Sequence, residues 1–519
     1  MYTVAASGSL FLALGSPPHG TTWTIWLGFA PLVWAVQQLA DRPWRTRFVA
    51  GWIGGMCVGL VGFPWIAELL VRFADAPLFV AGIGLAVFSA WTAIPFGIWC
   101  ALLDPHARSF ARAWAWPAIS WVALAHVWPA MFPYTAVIGF GEVPQWLQGA
   151  ELVGVAACEL QVVLCGVALA RTIAAPTMRA RVQLGALALA IPVLSWGLGE
   201  WRMRAVDEQA ADAPRIRFGI VQPNVPLMAL DMGDRAMRLW AMSLFAEREG
   251  ADVIVWPEAG AFPFRTFRPM THDFDDPERR VLQAHRLPTI FGAASIERGD
   301  RYEYNTVYML QADGRITGQF DKTILVPFGE YIPIVDPTWA IRQVPTMSHN
   351  HAGDSPARFV VEPIGDEDDF AVGPLVCYED IFAGFAREVA AQPGGIEAFV
   401  NLTIDTWFGD TAEPWEHLAL AQLRSVEHRV PMVRSVAAGP ATVIDHAGRV
   451  AASLPVRDPR IDRPVDPERL VVDVALPRNT VAAPTIFARG GWLFAWLCVA
   501  ATIAVVVHAS WRRRHPRAA

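Results

Sequence analysis

The sequence predicts a multi-pass α-helical membrane domain of about eight spans joined to one soluble, layered α/β domain. Three observations carry this reading. Apolar residues make up 54 % of the 519, charged residues only 18 %, and tryptophan reaches 23. The charged residues concentrate between about residue 200 and residue 480. Within that interval short, apolar, β-type runs alternate with helical patterns, as in layered α/β folds.

A helix needs roughly 18–20 apolar residues to cross a bilayer. Stretches near that length occupy 2–17, 22–40, 48–70, 76–103, 114–135, 149–170, 182–199 and 486–508. Short cytoplasmic loops are enriched in Lys and Arg. Arg42, Arg45 and Arg47 follow the second stretch, Arg108 and Arg112 the fourth, and Arg171, Arg179 and Arg181 the sixth. The loop between the fifth and sixth has neither Lys nor Arg. Eight spans then put both termini inside and the segment 200–485 on the non-cytoplasmic side. Met1–Ser16 lacks the basic start of a signal peptide, so it reads as a span. The division is a bundle over 1–200, a soluble domain over 214–477, a helix over 486–508 and a basic cytoplasmic tail over 509–519, which carries RRRHPR.

In the soluble part, Arg215–Val221, Asp252–Trp256, Pro288–Ala294, Phe370–Val376 and Ala398–Leu402 read as buried strands. Asp234–Glu249 and Phe382–Ala391 have helical spacing, and Leu470–Leu476 reads as a final strand. Turns at Asp313-Gly314 and Ala447-Gly448 join runs that look like hairpins. A net charge of −7 without a basic face argues against nucleic acid as a partner. Six cysteines without C-x-x-C spacing suggest neither a zinc site nor a disulfide framework.

Three strand ends carry polar groups. DVIVWPEAG delivers Glu258 just past a strand, FDKTILVPFGEYIP carries Lys322 and Glu330, and GPLVCYED delivers Cys377. The other five cysteines fall in the membrane stretches. A thiol becomes nucleophilic when a base takes its proton or a cation favours its ionised form. Glu258 would serve as the base and Lys322 as the cation, which also stabilises a tetrahedral oxyanion. Taken alone, Cys377 reads instead as a small buried side chain at a strand end.

These motifs, followed by NLTIDTWFGD and EHLALAQLRSVEHRVPMVR, resemble the nitrilase superfamily and, within it, the apolipoprotein N-acyltransferases. The N-terminal LALGSPPHGTTWTIWLGFAPLVWA resembles the opening of that family too. The resemblance implies an extracytoplasmic nitrilase-like α/β/β/α sandwich in a bacterial inner membrane. It implies Glu258 as general base, Lys322 orienting the thiol, and Cys377 as the acylated nucleophile. Glu330 matches a further glutamate essential in the family, Tyr378 and Glu379 match residues that shape the site, and Asn401 and Trp407 lie in the matching run near the pocket. The implied reaction moves an acyl chain from a phospholipid, through a thioester, to the α-amine of a diacylglyceryl-cysteine on an apolipoprotein. No metal or other cofactor is expected, the bilayer is a partner, and a monomer is expected.

The family pattern is broken at Leu230 and Asp231, where Lys-Trp is usual, at Ala437 and Ala438, and at Ile404. These departures keep two alternatives open: a nitrilase-like acyltransferase or amidase with a different acceptor, and a non-catalytic lipoprotein-binding scaffold. His417 and His428 read as helix-surface or supporting positions rather than metal ligands, and Glu416 and Glu427 as solvated or supporting ones.

Overall fold

The computed structural model describes all residues except 227–230, 334, 344–347, 366, 460–462, 464 and 516–519 and the side chains of 513 and 514. The chain divides into two compact units. One comprises Met1–Val71, Ala76–Met203 and Thr485–Ala519, and the other Arg72–Asp75 and Arg204–Pro484.

The first unit is helical. Among the described residues four helices are long and apolar enough to cross a membrane: Leu78–Leu102, Val155–Ala174, Met178–Gln209 and Phe487–Arg512. The pair Trp44–Gly62 and Trp65–Ala74, bent by 56°, makes a fifth if it counts as one span. The other expected spans are shorter or broken. Residues 22–40 divide into Thr22–Leu27 and Ala30–Gln38, with a proline in the first turn of the second. The stretch 114–135 stays α-helical only from Trp116 to Val127, ahead of Pro129 and Pro133, as expected where X-Pro disfavours helix. Gly154, at φ 71°, separates Ala150–Val153 from Val155–Ala174.

The second unit is a sandwich of two sheets. The first contains β1 (Arg215–Gln222), β2 (Val253–Val255), β3 (Thr266–Phe267), β4 (Thr289–Ile296), β5 (Tyr304–Leu310) and β6 (Ile316–Asp321). The second contains β7 (Phe359–Val361), β8 (Phe370–Val376), β9 (Ala398–Thr403), β10 (Met432–Val436), β11 (Thr442–Ile444) and β12 (Val450–Ser453). The last strand, β13 (Glu468–Ala475), returns to the first sheet beside β1. The orders are β13-β1-β2-β4-β5-β6, with β3 beside β4, and β12-β11-β10-β9-β8-β7. Strands β1, β2 and β4 run parallel, as do β8, β9 and β10. Both sequence hairpins are present, as β5–β6 and β11–β12.

Period-two alternation explains the layers. Ile216, Phe218, Ile220, Val253 and Val255 join Val372, Leu375, Phe399 and Val433 in one core, where Phe218 meets Phe370 edge-on at 5.9 Å. Ile254, between Val253 and Val255, enters a second core with Trp256, Phe291 and the helix Met232–Arg248. Each such fully buried side chain contributes about 1.5–3 kcal/mol. Helices Ala383–Ala390 and Glu413–His428 lie against the second sheet. Ser435 on β10 ties the sheets together by donating to the carbonyls of Val221 and Val255, each at 3.1 Å.

Candidate active site

Glu258 and Cys377 follow the C-terminal ends of parallel strands β2 and β8, and Lys322 follows β6. Strand ends are where open α/β sheets gather reacting groups, because the ladder stops and side chains are released. Pro257, which has no N–H to extend the ladder, ends β2. Gly292 on β4 lets the Glu258 backbone approach: a Cβ there would stand 2.6–2.7 Å from Ala259 N, Glu258 C and Pro257 O.

The structure brings Glu258, Lys322 and Glu330 into direct contact. The Lys322 ammonium, 1 % exposed, stands 3.1 Å from Glu258 Oε1 and 2.8 Å from Glu330 Oε1. Asn305 on β5 donates to the same two oxygens, at 2.7 and 3.2 Å. Val326 N–H holds the other Glu330 oxygen at 2.9 Å. Burial opposes the Lys322 charge, but the two carboxylates more than compensate and raise its pKa well above the ordinary lysine value. Glu258 moves up as well, because burial and Glu330 outweigh the pull of Lys322 and Asn305.

Cys377 is partly exposed and has φ +51°, the left-handed region that side chains avoid. Such strain costs of order 1–3 kcal/mol and persists where the surroundings hold it. Two contacts hold it here. Asn401 Nδ2 on β9 donates to the Cys377 carbonyl at 2.8 Å. Glu379, fully buried, accepts from Thr323 N and Ile324 N at 2.7 and 3.0 Å and from Val376 N at 2.8 Å. One carboxylate therefore fastens the segment after Lys322 to the strand before Cys377. Burial pushes the Glu379 carboxyl up to about 7 against those N–H donors. Burial and the Glu258 charge raise the Cys377 thiol well above its usual value, and Lys322 opposes them only in part. The lysine charge is shared between two acids, which limits its pull on the thiol.

Tyr378 is buried with its ring edge-on to Phe382 at 5.0 Å. Trp407 is half-buried, its ring 5.0 Å from that of Phe73. Ala437 and Ala438 are buried at the end of β10, and the Ala437 carbonyl accepts from Asn224 N at 2.8 Å. Leu230 lies outside the described residues, whereas Asp231 caps the helix Met232–Arg248 by accepting from Gly233 N.

The sequence reading missed Asn305. Its signal was available: an amide inside YEYNTVYML, where a buried strand otherwise carries few polar groups that must be satisfied. It also placed helix Glu413–His428 too far out. Glu416 and Glu427 are buried at 4 % and 0 % exposure, so neither is solvated, and Glu427 pairs with Arg424 at 3.1 Å. His417, 5 % exposed, bonds Asp380 at 2.8 Å, and the His428 ring lies 5.8 Å from Phe399. The helix lies deep in the domain, with nearly all of its side chains buried. Ligand atoms of Asp405, Glu413 and His417 come within 4.8 Å of one another. Arg434, with Nε 3.6 Å from Asp380, brings positive charge to this cluster, which disfavours a metal ion there.

Residues 217–461 match the carbon-nitrogen hydrolase family, and residues 8–168 match the apolipoprotein N-acyltransferase N-terminal domain. An apolipoprotein N-acyltransferase of Sinorhizobium medicae is 30 % identical over 476 residues, 85 % of each chain. The chain belongs to the apolipoprotein N-acyltransferase family. A second member of this family, from Brucella melitensis, is 30 % identical over 479 residues, covering 86 % of this chain and 85 % of that one. An amidase of the nitrilase superfamily from Nesterenkonia AN1 superposes with a TM-score of 0.37 at 17 % identity, covering 53 % of this chain and 93 % of that one. Family membership and the apolar helices together make this a membrane acyltransferase of the carbon-nitrogen hydrolase superfamily.

Proposed function

We propose that the protein transfers a fatty acyl chain from a phospholipid, through a thioester on Cys377, to the α-amine of a diacylglyceryl-cysteine at the N-terminus of an apolipoprotein. The observation that carries this reading is the Lys322 ammonium shared between Glu258 at 3.1 Å and Glu330 at 2.8 Å, at strand ends that also deliver Cys377, in a chain of this family. Glu258 takes the thiol proton as sulfur attacks the ester carbonyl. Lys322 stabilises the oxyanion, which collapses and expels the lysophospholipid alkoxide, and Glu258 returns its proton to that alkoxide. The free amine then attacks the thioester and Glu258 accepts its proton. Collapse of this second intermediate forms the amide and releases sulfur, which regains the proton.

In this reading the catalytic domain faces the non-cytoplasmic side of the bacterial inner membrane. About eight apolar segments anchor it, some of them broken rather than straight helices. The basic loops after the second, fourth and sixth stretches support that orientation. Glu258, Lys322 and Cys377 come from one chain, so a monomer suffices.

The test is the intact mass of the full-length protein in detergent after incubation with phospholipid, beside Cys377→Ala. A fatty-acyl increment is expected on the wild type, absent from the variant and removed by a diacylglyceryl-cysteine peptide. An increment that the peptide does not discharge would point to a different acceptor. No increment with any phospholipid would overturn the reading.

A further inference from the structure

Beside the trio lies a buried charge cluster that the acyl-transfer chemistry leaves without a task. Asp380 sits three residues after Cys377 in the same short turn, Cys377–Ile381. Asp405 follows β9, the strand whose Asn401 holds the Cys377 carbonyl. His417, from helix Glu413–His428, reaches both. Its Nε2 is 2.8 Å from Asp380 Oδ1, and its Nδ1 is 3.6 Å from Asp405 Oδ1 and 4.0 Å from Glu413 Oε1. Arg434 on β10 places Nε 3.6 Å from Asp380 Oδ2. Exposure is 0 % for Asp380 and Arg434, 1 % for Asp405, 5 % for His417 and 7 % for Glu413.

Groups this deep keep their charge only if they are paired. Burial works against a charged His417, yet Asp380 and Asp405 raise its pKa to about 10. Burial and Asp405 raise Glu413 well above the ordinary carboxylate range. In the cluster Asp380 and Asp405 face His417 and Arg434, with Glu416 further along the helix. Asp405 is the member that acts on the nucleophile, adding its negative field to those of Glu258 and Glu330 against Lys322. Asp405 Oδ1 stands 3.6 Å from His417 Nδ1, beyond ordinary hydrogen-bond length, so charge dominates the pairing. Its carboxylate is confined beside Gly439, where a Cβ would stand 2.4 Å from Oδ2.

We propose that His417 is a positioning residue for Cys377: as an imidazolium bridging Asp380 and Asp405, it fixes the nucleophile's turn against the end of β9 and neutralises Asp405. Without it, the Asp405 charge bears uncompensated on the thiolate and on the oxyanion formed beside it. The inference rests on Cys377 as nucleophile but not on the identity of donor or acceptor.

The experiment is iodoacetamide alkylation of Cys377 across pH, followed on its peptide by mass spectrometry, in the full-length protein in detergent. His417→Gln should slow alkylation at pH 8 about tenfold, a rise of about one pH unit in the midpoint. Asp405→Asn should move the midpoint the opposite way and speed alkylation at pH 8, and the double variant should fall between the two. A role in folding alone would lower the melting temperature of both variants and leave both alkylation profiles where they were, which overturns the proposal. If His417→Gln does not fold, Asp405→Asn decides: faster alkylation supports the proposal, and an unchanged or slower rate overturns it. Alkylation needs no phospholipid, so a shifted profile in a protein that forms no acyl-enzyme would sink the proposed function and leave this inference standing.

Discussion

Asn305 Nδ2 donates at 2.7 Å to the same Glu258 oxygen that Lys322 approaches at 3.1 Å, and also reaches Glu330 Oε1 at 3.2 Å. A neutral amide thus bridges the two acids that share the lysine and holds their oxygens around it. Asn305→Leu removes both bonds at a buried position. Thioester formation should fall at least tenfold, with a stability loss of about 1–3 kcal/mol for acceptors left unsatisfied. Single-turnover mass spectrometry beside a melting curve separates the two effects, and an unchanged turnover rate would show that the amide is dispensable.

Glu330→Gln tests the electrostatics of Glu258, the proposed base. The Glu330 charge raises the pKa of Glu258, so removing it lowers that pKa. The acid limb of the pH–rate profile for thioester formation should therefore move to lower pH. Because the second counter-ion of Lys322 is also lost, the plateau rate should drop about tenfold or more. An acid limb that stays in place would assign that limb to another group.

Cys377 sits at φ +51°, where glycine is unstrained and alanine is not. Two variants without the proposed nucleophile should therefore differ in stability. Cys377→Gly should be more stable than Cys377→Ala by about 1 kcal/mol, contrary to the usual penalty for glycine. Comparing their melting temperatures in one detergent checks this, and equal values would mean that the turn relaxes when the thiol is removed.

Gly292→Ala places a methyl group against the backbone of Pro257, Glu258 and Ala259. Overpacking of this kind costs about 1–3 kcal/mol. The strain falls on the segment that aims Glu258, the proposed base, so acyl-enzyme formation should decline in molecules that remain folded. Rates normalised to folded protein give the readout.

His417 predicts a stability effect of definite sign. Its folded pKa of about 10 lies above the ordinary value of 6.5. The imidazolium's contribution is fully present below about pH 6.5 and is lost as pH rises toward 10. The melting-temperature gap between wild type and His417→Gln should therefore be larger at pH 6 than at pH 9.5. A gap that widens with pH would contradict a charged His417.

Sequence by itself determined many elements of the sandwich and singled out Glu258, Lys322 and Cys377 as candidates for its chemistry. Buried strands such as Phe370–Val376 are short, apolar and bounded by polar groups, so local pattern and strand length coincide. Glu258 and Cys377 stood out because each stands just past such a run, and Lys322 because it follows the end of another strand. The helix Glu413–His428 was not legible in the same way. Its Glu416, His417 and Glu427 are polar and give a solvent-facing pattern, and only the tertiary structure supplies the partners that let such groups be buried. The same holds for Asn305, Asp380, Asp405 and Arg434, whose meeting points lie between segments far apart in the chain. Helix breaks at Gly154 and before Pro129 also depended on conformation, since hydropathy counts apolar residues without registering where backbone geometry interrupts a span. Composition and period set which residues are hidden. Long-range pairing decides which hidden charges can be tolerated, because a buried charge is stable only where another element brings its counter-ion.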